Sequence, residues 1–158
     1  MGGVLYSYDR DFDLIGHQQA FDQMIKKSWL EDSDHKTQLE AEYQAVVDGN
    51  LMVYPIENGL KNLAKNFEAY KVIIVSTALV KTSKYILEKL GLGSDMFDIY
   101  DMSDFGNKKD KNAWKKIFIN YNSIDCIVED RKENLKAAGE AANELGFEPE
   151  LFTNMPVV

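Results

Sequence analysis

The sequence predicts a mixed α/β fold built on a mostly parallel sheet. Residues 72–76 (VIIVS) and 124–128 (IDCIV) are β-branched runs bounded by polar residues, which suits strands buried on both faces. The stretches between such runs carry apolar residues at steps of three and four, the signature of one buried helical face. The alternation of the two patterns proceeds without repeats. With three prolines and ten glycines, the chain has little room for a long linker.

Taken in order, residues 4–8 form a short apolar run that stops at Asp9, Asp11 and Asp13. Residues 17–49 read as two consecutive amphipathic helices, one presenting Ala20, Phe21, Met24, Ile25 and Trp29, the other Leu39, Tyr43, Val46 and Val47. The intervening EDSDHK offers Asp32, Ser33 or Asp34 as an N-cap. Placed directly after the first strand, this pair reads either as a small lid over the carboxyl ends of the strands or as two helices packed on the sheet face. Helical patterns follow at 57–68 (Leu60, Leu63, Ala64, Phe67), 110–121 (Ala113, Trp114, Ile117, Phe118, Tyr121) and 132–145 (Leu135, Ala138, Ala142, Leu145). Weaker strands are expected at 98–101 and 150–153.

A length of 158 residues, 45% of them hydrophobic, supplies one domain with a sizeable core and argues against a disordered tail or a disulfide-stapled mini-protein. The net charge of −8 disfavours nucleic acid and anionic membrane surfaces as partners, and no local basic patch offsets it. The single cysteine, Cys126, lies in an apolar run and reads as a reduced, buried core residue. No stretch approaches the ~20 apolar residues of a membrane helix. The first residues lack a secretory pattern, and Tyr6 stands where a myristoylation site requires Ser or Thr. The expectation is a soluble cytoplasmic protein.

In open parallel sheets, ligands bind at the carboxyl ends of the strands. Four endings stand out: Asp9-Arg10-Asp11; Ser76-Thr77; Asn107-Lys108-Lys109 at a helix start; and Glu129-Asp130, followed by Asn134. Two carboxylate clusters on adjacent strand ends repel each other unless a cation lies between them, and a hard ion such as Mg²⁺ accepts such oxygen ligands. A lysine and a hydroxyl at the same rim neutralise and orient phosphoryl oxygens. A carboxylate can attack phosphorus while a second, two residues on, serves as general acid and base.

The order of these endings resembles the haloacid dehalogenase-like hydrolases, a superfamily of phosphotransfer enzymes that work through an aspartyl-phosphate. VEDRKENLKAA is similar to the family's fourth motif, and KVIIVSTA to its second, with Ser76 in the phosphate-binding hydroxyl position. LGLGSDMFDIYDMSDFGNKKDKNAW resembles the stretch leading to the third-motif lysine, with Lys108 in its slot, and YPIENGLKNLAKNFEAYKV the helix before the second motif. The first motif departs from the pattern. Aligned on Asp9, the chain reads DRDFDLI, with Asp9 as nucleophile and Asp11 as acid/base, but Arg10, Phe12 and Asp13 replace the usual apolar residue, glycine and Thr or Val. The competing register sets Tyr8 in the apolar slot, Ser7 in the nucleophile's place and Asp9 in that of the acid/base. A serine there could not form the acyl-phosphate.

The resemblance implies a three-layer Rossmann-like core (residues 1–16 and 50–158) with a small inserted helical cap (17–49). It implies a Mg²⁺-dependent phosphatase of a small phosphorylated metabolite: Asp9, Asp11 and Lys108 catalytic; Ser76, Thr77 and Lys108 on the phosphate; Asp9, Asp11, Glu129 and Asp130 on the metal. The alternative is a catalytically impaired fold of the same kind acting as a binding or regulatory module, which the crowding and charge of Phe12 and Asp13 favour. A phospho-accepting receiver domain needs an acceptor Asp at the end of a central strand. The only candidate, Asp48, follows the helical pattern of residues 39–47.

Several polar residues have plainer readings. His17 at a helix start is expected to face solvent, and His35 has no metal-ligand partner nearby. Asp95, Asp98, Asp101 and Asp104 are expected to cap and solvate a loop, and Lys109, Lys111, Lys115 and Lys116 to form a polar helix face. The two registers part on a direct measurement. With Asp9 as nucleophile, Asp9→Asn abolishes phosphate release and Ser7→Ala is mild; in the other register Ser7→Asp creates release where the parent chain has none.

Overall fold

The computed structural model describes residues 1–157. The chain is a mixed α/β protein with six helices and six short strands among these residues. In order they are β1 (Tyr6–Ser7), α1 (Leu14–Lys27), α2 (His35–Asp48), β2 (Tyr54–Pro55), α3 (Glu57–Asn66), β3 (Ile73–Ser76), α4 (Val80–Lys89), β4 (Asp98–Asp101), α5 (Lys111–Phe118), β5 (Cys126–Val128), α6 (Lys132–Glu144) and β6 (Glu150–Phe152). None of the helices is long and apolar enough to cross a membrane.

The strands pair in three separate two-stranded sheets, so the described residues do not form the single sheet expected from the sequence. β3 pairs parallel with β4, from Ile73 opposite Asp98 to Ser76 opposite Asp101, and β5 pairs parallel with β6. β1 pairs antiparallel with β2. The expected first strand, 4–8, is reduced to two residues because the segment before it folds back. Gly3 adopts φ +80°, and the Met1 carbonyl accepts from the N–H groups of Val4 and Leu5 at 3.2 and 3.0 Å. A left-handed residue at Gly3 turns the chain out of the extended conformation that a ladder requires. Ile73, Ile74 and Val75 of β3 and Cys126, Ile127 and Val128 of β5 all line one cavity of about 360 Å³. Consecutive strand residues point to opposite faces, so only a strand's edge can present three in a row. The unpaired edges of the two parallel pairs therefore face a common space.

The helices follow from their patterns and caps. Asp13 caps α1 by accepting from the Ile15 N–H, and Asp34, one of the three candidates, caps α2 by accepting from Thr37. Gly49 closes α2 in the left-handed conformation. Asp110 caps α5, whose Ala113, Trp114, Ile117 and Phe118 are buried against Leu135, Ala138 and Ala142 of α6. A second cluster joins Met24 and Ile25 of α1 to Ala45 and Val46 of α2 and Ile86 of α4. Helix α4 was not foreshadowed by an apolar period. Its buried face includes Thr82 and Ser83, both fully enclosed, which interrupt the pattern.

Two expectations need correction in detail. Cys126 is half-buried rather than enclosed. The strand expected at 98–101 forms as β4, with Asp98 exposed and paired with Lys71 at 2.9 Å; Asp101 caps the turn after it, as expected, but is buried instead of solvated, accepting from the Ser103 N–H and hydroxyl. The lysine face of α5 is as expected, with Lys111 and Lys115 both reaching Glu144.

Helix α3 lies against the first segment at Gly59, where an added Cβ would stand 2.1 Å from the Val4 carbonyl oxygen. Alanine is ordinarily preferred to glycine inside a helix by up to about 1 kcal/mol. Here the clash with backbone reverses the sign. Gly59→Ala is expected to lower stability by about 1–3 kcal/mol, read as a drop in the urea midpoint with an unchanged slope.

Candidate functional site

The carboxyl ends of β3, β4 and β5 open on one cleft of about 330 Å³, lined by Ser76, Thr77, Lys108, Glu129, Asp130 and Asn134 among others. These residues come from three distant stretches of sequence, and the fold brings them together because both parallel pairs point their carboxyl ends the same way.

A buried ion pair organises the core side of this cleft. Lys108 Nζ stands 2.9 Å from Glu129 Oε2, with side chains only 11% and 6% exposed. The other carboxylate oxygen, Oε1, accepts from the Arg131 N–H at 3.2 Å and from Asn134 Nδ2 at 3.5 Å. The lysine backbone is fixed in turn, because Trp114 Nε1 donates to the Lys108 carbonyl at 2.7 Å. Burial pushes the Glu129 carboxyl upward, but the Lys108 charge and the neighbouring hydrogen bonds outweigh it and hold the group below the usual carboxylate range. Asp130 moves the other way: burial and the adjacent Glu129 raise it. Its Oδ2 sits against the backbone of Gly3, where a Cβ would approach to 1.9 Å, and the φ of +80° there strains any other residue. Ser76 is buried, with Oγ accepting from the Ala78 N–H at 3.1 Å; Thr77 is exposed at the rim.

Asp9 and Asp11 are not part of this lining. Asp9 closes the turn before α1, its carboxylate accepting from the Asp13 N–H at 3.1 Å and packing against Gly16. Asp11 is exposed. Ser7, the rival for the nucleophile's place, is buried at the end of β1, where its hydroxyl accepts from the Asp9 N–H at 3.0 Å. Among the described residues no three His, Cys, Asp or Glu side chains converge to hold a metal ion. Of the four expected ligands, only Glu129 and Asp130 line the cleft, and both oxygens of Glu129 are already partnered. This donor set does not fit Mg²⁺, which demands near-octahedral oxygen ligation.

The opposite wall comes from the α1–α2 segment, and there His17 is part-buried in the cleft lining instead of facing solvent as expected, while Glu42 had no expected role. His17 lines the cleft, its ring stacked on Tyr8 at 4.5 Å between centroids. Its Nδ1 accepts from the Tyr8 N–H at 2.9 Å, so the neutral ring carries its proton on Nε2, the nitrogen facing Gly2. Burial lowers its pKa to about 4, the nearby positive charges add to this, and Asp9 opposes it. Glu42 is 6% exposed; its Oε2 accepts from the Tyr8 hydroxyl at 2.9 Å, while Oε1 is buried without a partner. Burial raises the Glu42 carboxyl to about 7, against the Tyr8 hydrogen bond. A signal for Glu42 existed in the sequence: it lies three residues from Leu39 and four from Val46, on the buried stripe of its helix.

Comparison with protein-family models, curated proteins and solved structures finds no match to this chain. The site is therefore read from its own chemistry. It pairs a core-side rim of hydroxyl, ammonium, amide and carboxylate groups with a polar wall bearing one carboxyl oxygen without a partner among the described residues.

The raised carboxyl of Glu42 sets a direction for stability against pH. A carboxyl whose folded pKa exceeds its unfolded value stabilises fully below about pH 4.3, and that contribution is lost as pH rises toward about 7. Glu42→Gln keeps the hydrogen-bond acceptor for Tyr8 and cannot ionise. Urea midpoints for the variant are expected to gain on those of the parent steadily between pH 4.5 and 7, and to run parallel below that window.

Proposed function

We propose that this protein binds a phosphorylated small molecule in the cleft at the strand ends, as a non-hydrolysing binding or regulatory module on a haloacid dehalogenase-like, Rossmann-like core with residues 17–49 as its cap. The observation that carries the reading is the convergence of Ser76, Thr77 and Lys108 on one cleft, with the lysine fixed in place by Glu129 and by Trp114. A phosphoryl group needs charge neutralisation and hydrogen-bond donors held in advance. Lys108 supplies the charge; Ser76 and Thr77 supply hydroxyls, and the exposed Arg131 lies at the same rim. Binding a dianion weakens the pull of Glu129 on the lysine without leaving either partner unsatisfied, since Glu129 retains the Arg131 and Asn134 donors. The module reading is preferred to the phosphatase because the two carboxylates required for covalent chemistry, Asp9 and Asp11, are outside the lining and Asp9 is occupied with the α1 turn.

The phosphatase stands as the second reading, and one observation favours it. The Asp9 carboxylate is near enough to His17, a cleft residue, to raise that ring's pKa. Asp9 thus lies just behind the wall.

A phosphorylated-metabolite panel separates the two. Binding followed by calorimetry, with phosphate release assayed in parallel with Mg²⁺ and with chelator, is expected to give saturable binding unaffected by chelator, and no release. Lys108→Met is expected to weaken binding at least tenfold and Ser76→Ala several-fold. Metal-dependent release that disappears in Asp9→Asn would replace the module with the phosphatase. Absence of both binding and release would remove the phosphoryl reading altogether.

A further inference from the structure

Glu42 has no place in phosphate recognition, and its situation is unusual. It is a carboxyl group with almost no solvent exposure on the wall of a ligand-sized cleft, with one oxygen bonded to Tyr8 and the other bonded to nothing. Native proteins rarely leave a buried polar atom unpaired, because desolvating it without a partner costs free energy on the order of 1–3 kcal/mol. Among the described residues no lysine or arginine forms an ion pair with Glu42. The charge of Asp101, which is of the same sign, acts on it.

Resting on the reading of the opposite rim as a phosphoryl site, we propose that Glu42 is the specificity residue for a cationic group on the ligand. The cleft accordingly selects phosphorylated compounds that also carry a primary ammonium group. The two walls are chemically complementary to such a zwitterion. Ser76, Thr77 and Lys108 line one side of the cleft for the anionic end; Glu42 lines the other, its enclosed Oε1 without a partner among the described residues. An ammonium N–H directed at Oε1 satisfies the orphaned oxygen and supplies the counter-charge that the protein withholds. A hydroxyl on the same position would fill the acceptor but bring no charge to stabilise the ionised carboxylate in a desolvated site. An unsubstituted alkyl would leave both needs unmet. His17 presents Nε2–H on the same wall as a donor, so the wall disfavours a second cation there and confines the ammonium to Glu42.

The test compares three probes on one two-carbon skeleton, with the full chain, by calorimetry at pH 7: 2-aminoethyl phosphate, 2-hydroxyethyl phosphate and ethyl phosphate. On the parent protein the amino compound is expected to bind at least tenfold tighter than either of the others. In Glu42→Gln that preference is expected to collapse to within about twofold, with ethyl phosphate unchanged. Equal affinities of the amino and hydroxyl compounds for the parent protein would overturn the assignment, and this comparison does not depend on the variant folding. If all three bind alike, the ammonium inference fails while the phosphoryl site stands. If none binds, the phosphoryl reading itself fails and takes the inference with it.

Discussion

The Lys108–Glu129 pair is the constraint on which the cleft depends. It ties the loop after β4 to the end of β5, two segments that no strand pairing connects. Taking both charges out of water costs several kcal/mol per ion in the absence of compensation. Compensation here is nearly complete: Glu129 accepts from a main-chain N–H and a side-chain amide besides the lysine, and the lysine's own carbonyl is held by the indole of Trp114. The same Trp114 is a core residue of α5, packed with Phe118 at 5.6 Å between ring centroids. Core packing of α5 on α6 is thereby transmitted to the position of one ammonium group. A net-negative protein holds a fixed cation at its cleft because an apolar helix face anchors the backbone beneath it.

A second constraint concerns the backbone. Two parallel pairs point their carboxyl ends into one cleft although their inner edges do not meet. Parallel strands require crossover helices, and these supply the alignment: α4 connects β3 to β4, and α6 connects β5 to β6. Each βαβ unit fixes the direction of its own pair. The relation between the pairs rests on side-chain packing around Trp114, Ile73 and Val75, and on the ion pair above the gap. The edges of β3 and β5 that face the 360 Å³ cavity therefore carry main-chain groups without ladder partners, where a continuous sheet would satisfy them.

Much of this was legible because the determining signals are local. The spacing of Ala113, Trp114, Ile117 and Phe118 marks α5, and the run before Glu129 marks β5. The rule that parallel strands end on one side suffices to bring Lys108, Ser76 and Glu129 together. The failures share a different cause, namely that a polar residue's role is set by what lies across from it. Asp9 ends the first apolar run with a second carboxylate, Asp11, two residues on, as a nucleophile would, yet the Asp13 N–H at the start of α1 claims its carboxylate. Thr82 and Ser83 hid α4 because small hydroxyl side chains can be buried on a helix while reading as surface. The continuous sheet failed at Gly3, where a left-handed turn with local hydrogen bonds displaced an extended strand.

The wall formed by α1 and α2 shows how burial rather than charge can shape a binding surface. Tyr8 links its two titratable groups, stacking on His17 with one face and donating its hydroxyl to Glu42. Desolvation displaces the two in opposite directions, His17 down to about 4 and Glu42 up to about 7, and each displacement favours the uncharged form. Between those limits the wall presents a neutral imidazole and a neutral carboxyl, while across the cleft the Lys108 charge holds the Glu129 carboxyl below the usual carboxylate range. The effects on stability oppose each other: falling pH removes what neutral His17 contributes and restores what neutral Glu42 contributes. Net stability consequently conceals the strain held at Glu42. A ligand that ionises this carboxyl by pairing with it adds charge only where the wall had suppressed it, so the free energy of that contact depends on Tyr8 keeping Oε2 bonded and Oε1 free.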